Sequence, residues 1–144
     1  MFLSNFLSNR TVSRGSAFIW DSKIKDLKII SNFRCLDLDL LVGIERQKKT
    51  ILNNTISFSE GNFTNNALLW GSRGNGKSSL IKSVFYEINK KNKNLKLIQL
   101  NKNNIFDIEI IYEKYANLKN YNFIIFIDDL SFEKIDSDYK IIKS

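Results

Sequence analysis

The run Gly71-Ser72-Arg73-Gly74-Asn75-Gly76-Lys77-Ser78 constrains this chain more than any other stretch. It fits G-x-x-x-x-G-K-[ST], the pattern of a phosphate-binding loop. Its context is the one that pattern needs. The apolar run Ala67-Leu68-Leu69-Trp70 precedes it, and the helix-like segment Ser79-Leu80-Ile81-Lys82-Ser83-Val84-Phe85 follows. Glycines let the backbone turn tightly around a polyphosphate and aim several N–H groups at it. The N-terminus of the following helix adds partial positive charge. In this arrangement Lys77 bridges the β- and γ-phosphates and the Ser78 hydroxyl ligates Mg²⁺. The competing reading is a plain glycine turn between a strand and a helix.

Elsewhere the pattern alternates strand and helix. Ala17–Trp20 is a short apolar anchor, and Leu27, Ile29 and Ile30 suit a brief strand. Leu36, Leu38 and Leu40 alternate with Asp37 and Asp39 at a strand-like period of two, and Gly43 marks a turn. From Ile44 to about Phe58, Ile44, Ile51, Leu52 and Ile56 fall on one helical face. The helix behind the phosphate loop extends to about Asn89. Leu95–Leu100 reads as a strand, and Ile105, Ile108, Ile111, Tyr112 and Tyr115 step at helical spacing. Tyr121–Ile127 is the most apolar run, which suits a central parallel strand covered on both faces. The expected fold is therefore α/β, a parallel sheet flanked by helices.

That last strand ends in Asp128-Asp129. In a parallel sheet ligands sit at the carboxyl ends of the strands. An aspartate there holds Mg²⁺ through water in nucleotide hydrolases of the phosphate-loop class. Asp128 is the metal-side carboxylate of this reading, and Asp129 the group that polarises the attacking water. The alternative is two acids ending a strand in a solvated loop.

Composition narrows the partners. The chain has 144 residues, the size of one domain, and a net charge of +7. Its lysines are scattered, except for the run from Lys90 to Lys96, which reads as a helix end and solvated loop. Nucleic acid is thus a weakly supported partner. With no histidine and one cysteine, Cys35, neither a histidine-based triad nor an internal disulfide can form. A hard cation on oxygen ligands is the metal option that remains, namely Mg²⁺ with a nucleotide. No apolar run is long enough to span a bilayer, and a cytoplasmic location is expected. Residues 1–20 carry Arg10 and Arg14 but no acid before Trp20, a composition shared by organellar targeting segments and by flexible or docking arms.

Taken together, Gly71–Ser78 and Phe123–Asp129 resemble the Walker A and Walker B pair of AAA+ ATPases. The likeness extends to a bacterial family of AAA+-type ATP-binding proteins known as domain of unknown function 815. It is carried by Ala17–Trp20, by Leu41-Val42-Gly43-Ile44-Glu45-Arg46-Gln47, by Asn65–Leu80 and by Asp128-Asp129-Leu130-Ser131-Phe132-Glu133. Tyr139-Lys140 and Lys143-Ser144 fit the family's next helix. The resemblance implies ATP as ligand and Mg²⁺ as cofactor. Gly71, Ser72, Arg73, Gly74, Asn75, Gly76, Lys77, Ser78 and Ser79 would form the phosphate cradle. Leu41, Val42 and Gly43 would form the adenine pocket. Lys77 and Asp129 would be catalytic, and Ser78 and Asp128 would hold the metal.

Two departures qualify the catalytic part. The usual AAA+ acid pair is Asp-Glu, whereas this chain carries Asp129 at the second position; Glu133 is a conceivable substitute. The sensor strand, arginine finger and helical lid of AAA+ proteins would all follow Ser144. So would the two strands that flank the phosphate-loop strand, so either the domain is incomplete at its C-terminus, which is the expectation, or its sheet closes by pairing the phosphate-loop strand directly with Tyr121–Ile127. The implied layout is a flexible arm over residues 1–16, an N-terminal extension over 17–40 and a partial nucleotide-binding domain over 41–144. Its expected role is an ATP-binding module with doubtful hydrolysis on its own, able to form homo-oligomeric rings if completed. The alternative is a nucleotide-gated binding or loading module for a protein or nucleic-acid partner, with negligible turnover.

Overall fold

The computed structural model describes residues 10–31, 37–61 and 77–127. They divide between two compact units, one built from Met1–Ser31 with Lys96–Ser144, the other from Asn32–Leu95.

The first unit holds a mixed four-stranded sheet. Its strands are β1 (Ala17–Asp21), β2 (Asp26–Ile29), β3 (Leu95–Leu100) and β4 (Asn122–Ile127), in the order β2-β1-β3-β4. β1 runs parallel to β3, with Phe18 opposite Ile98, and antiparallel to β2, with Trp20 opposite Leu27. The all-parallel sheet expected from the sequence is therefore corrected. The physical reason is the short turn over residues 22–25, which can join only antiparallel neighbours. That turn is set by Asp21, whose Oδ1 accepts from the backbone N–H of Lys23 at 2.9 Å and of Ile24 at 3.4 Å. β1 and β2, from the stretch read as an extension, share this one sheet with β3 and β4.

Burial differs between the described strands. β4 stands last in the order of described strands, and most of its residues are only half-buried. β3 is the buried one, flanked by β1 and β4. It carries one buried charged residue, Lys96. That side chain is 5% exposed; its Nζ donates to the Gly15 carbonyl at 2.6 Å and lies 5.3 Å from the Tyr121 ring centroid. A buried ammonium is tolerated where a carbonyl and an aromatic face replace its water.

One face of the sheet is covered by helix. Val12, in a helical stretch over residues 10–14, is fully buried with Phe18, Trp20, Leu27, Ile98, Leu100, Ile111 and Tyr115. Ile111 and Tyr115 come from a short helix, Ile108–Tyr115, entered through a 3-10 turn over Lys102–Asp107. The alternate residues Phe123, Ile125 and Ile127 of β4 pack against the same cluster, as the period of a strand requires.

The second unit is helical in its described residues. A 3-10 turn, Leu38–Leu40, leads through Gly43 into α1 (Glu45–Ser59), and α2 covers Lys77–Lys91. The turn replaces the strand expected from Leu38 and Leu40; Leu36 lies outside the described residues. Asp37 accounts for the difference, because its side chain accepts from the Asp39 N–H at 3.1 Å. Such local side-chain bonds compete with a strand ladder. On α1 only Ile51 and Ser59 are buried, so the apolar face read from Leu52 and Ile56 is partly open. α2 buries a complete stripe, Leu80, Val84, Phe85 and Ile88. The two helices pack together, and the Asn92 side chain donates to the Ser59 carbonyl at 2.8 Å.

Candidate functional site

The helix behind the phosphate-loop motif begins at Lys77, so Lys77, Ser78 and Ser79 are its first three residues. Local preference suits this start, since serine favours helix entry over helix interior. The buried stripe beginning at Leu80 fixes the phase, and the polar Lys-Ser-Ser segment takes the first turn. That turn carries no acidic side chain, while Lys90 and Lys91 occupy the last one. The C-terminal lysines match the helix dipole, whereas the N-terminal end, with no acid of its own, leaves its partial positive charge unanswered and favourable to an anion. At the other end Asn89 and Asn92 secure the exit. Asn89 donates to the Leu95 carbonyl at 2.8 Å, and Asn92 Oδ1 accepts from the Asn94 N–H at 3.1 Å. Lys90 pairs with Glu87 at 3.1 Å and lies over the Tyr86 ring. The densest basic run thus spends two of its lysines, Lys90 and Lys96, on internal contacts.

Val42 and Gly43 lie in the same unit as this helix. The 3-10 turn just before them packs against α2, Leu41 is buried, and Val42 is 79% exposed. Gly43 has φ +81°, and a Cβ added there would meet no atom within 4 Å. Space is free; only the backbone conformation demands glycine. Gly43→Ala is expected to cost about 1 kcal/mol of stability, read as a shift in the urea midpoint. A shift within error would show that this turn relaxes to another conformation.

Gly71, Ser72, Arg73, Gly74, Asn75 and Gly76 lie outside the described residues, as do Asp128, Asp129 and Glu133. β4 ends at Ile127, so Asp128 follows directly on its last residue. β4 is part of the first unit. Among the described residues no cluster of three or more Asp, Glu, Cys or His side chains is placed to hold a metal. No described helix is long and apolar enough to cross a membrane.

The first unit contains two carboxylate hubs that sequence patterning missed. Asp107 accepts from the Trp20 indole N–H at 3.0 Å and pairs with Lys25 at 3.0 Å. Asp26 accepts from the Tyr115 hydroxyl at 2.7 Å and lies 3.3 Å from Lys114. Lys114 also donates to the Lys25 carbonyl at 2.7 Å. Together they fasten the β1–β2 hairpin to the helix Ile108–Tyr115 and its entry turn. A signal for the first hub was present, since an indole buried on a strand must find an acceptor. Which of the nearby acids supplies it is a tertiary fact.

These contacts set the charge states. The Trp20 hydrogen bond, joined by Lys25, holds Asp107 below the ordinary aspartate value against the opposing effect of burial. Burial alone would raise Asp26, but the Tyr115 hydroxyl, the Leu27 amide and Lys114 outweigh it and leave it lowered. Burial, then the Asp26 carboxylate, pushes the Tyr115 phenol upward, so it stays a donor. Stability follows by linkage. Lowered carboxylates contribute above their ordinary value of 3.8, and that contribution is lost as pH falls through their folded-state values. The raised phenol contributes fully below 10.0, and its share is lost as pH rises beyond that. Thermal midpoints are therefore expected to hold from about pH 5 to 9 and to fall on both sides. In Asp26→Asn the fall on the acid side should become shallower; an unchanged acid limb would remove Asp26 from this account.

These residues form an α/β fold with a four-stranded mixed sheet flanked by helices. The chain belongs to the family described as protein of unknown function (DUF815), whose family model matches residues 13–144. No curated protein and no solved structure matches it.

Proposed function

We propose that this chain is the ATP-binding module of an AAA+-type ATPase, a member of the phosphate-loop nucleotide hydrolases. The observation that carries the reading is the junction at Lys77. There the last two residues of the G-x-x-x-x-G-K-[ST] run become the first two residues of a fifteen-residue helix with no acid in its first turn. That is the arrangement in which backbone amides and a helix dipole bind phosphate. The packing of the Leu38–Leu40 turn on this helix lends support, because it brings the exposed Val42 into the helix's own unit, where an apolar side chain can cover a base.

In this reading Lys77 neutralises the terminal phosphates, and Gly71–Gly76 supply amides. Ser78 and Asp128 are the residues that would hold Mg²⁺; their hydroxyl and carboxylate oxygens form the donor set a hard cation prefers. The cation would supply charge neutralisation on the phosphate oxygens. Asp129 would be the water-orienting acid, one methylene shorter than the usual glutamate.

The test is equilibrium binding of ATP to the purified chain, titrated with and without Mg²⁺. Micromolar binding that strengthens with Mg²⁺ is expected. Asp128→Asn should flatten the Mg²⁺ dependence while leaving metal-free ATP affinity within about twofold, because a neutral amide is a poor ligand for a hard cation. Absence of ATP binding by the folded chain would refute the proposal. Unaltered Mg²⁺ dependence in the variant would displace Asp128 alone.

A further inference from the structure

We draw no further inference here: the strongest candidate, the surface patch of exposed apolar side chains Phe106, Ile110 and Tyr112 on the turn and helix that follow β3, is an unpartnered apolar face and nothing in the structure shows what covers it.

Discussion

Lys77→Ala is expected to weaken ATP binding by at least about a hundredfold while leaving the fold intact. The proposed role asks one ammonium to meet two phosphate groups. Charge-assisted hydrogen bonds contribute about 1.5–3 kcal/mol each, so a pair lost together weakens binding by at least roughly a hundredfold. The fold should not notice. Lys77 opens α2 ahead of the buried stripe that starts at Leu80, and alanine is the best helix former. Isothermal titration of wild type and variant with Mg-ATP measures the first expectation, and circular dichroism melts measure the second. Lys77→Arg sharpens the test. It keeps the charge but replaces a compact ammonium with a planar fork, so it should recover only part of the affinity. If Lys77→Ala binds ATP as tightly as wild type, the phosphate cradle has been placed on the wrong residues. If it loses binding together with its melting transition, the loss reflects folding, and Lys77→Arg decides the matter.

Much of the architecture was legible because local patterns and packing agreed. The helix-like segment Ser79–Phe85 announced α2, which buries Leu80, Val84, Phe85 and Ile88, and Leu95–Leu100 appeared as β3 where the pattern placed it. Failure came where a polar side chain found a partner distant in sequence. Lys96 sits buried on β3 because the Gly15 carbonyl and the Tyr121 ring answer its charge, partners no local pattern could name. Asp37 and Asp39 looked like the solvent face of a strand, whereas the Asp37 side chain folds the segment into a turn. The antiparallel hairpin was implicit in two strands separated by a short polar turn, but the alternation of strands and helices further along overshadowed it. On the candidate site, the motif pointed to a helix from Ser79, which the structure begins two residues earlier at Lys77, and the apolar run Tyr121–Ile127 pointed to the strand that ends before Asp128. Motif spacing could not reveal the hubs at Asp26 and Asp107, because each joins residues some eighty or more positions apart.

The largest stability effect should come from Trp20→Ala. Trp20 is 3% exposed and stands on β1, between β2 and β3, within the cluster that joins the sheet to the helix Ile108–Tyr115. Truncating a buried aromatic costs about 3–5 kcal/mol, a large share of the 5–15 kcal/mol that a domain commonly has. The cavity would open against Val12, Leu27 and Leu100, members of the same cluster. It would also remove the indole donor from Asp107, leaving that carboxylate with Lys25. Trp20→Phe separates the two contributions. It keeps a six-membered aromatic ring but loses the N–H and part of the ring volume, and with Lys25 still present the lost hydrogen bond should cost about 1 kcal/mol, with a smaller packing loss than in the alanine variant. Because the chain has two units, a single unfolding midpoint would blur the answer. Amide hydrogen exchange of β1, β3 and the helix Ile108–Tyr115 resolves it, with protection falling by about two to three powers of ten in Trp20→Ala. Protection unchanged to within a factor of ten would mean that the sheet does not depend on Trp20. Equal losses in the alanine and phenylalanine variants would assign the effect to the bond with Asp107 rather than to packing.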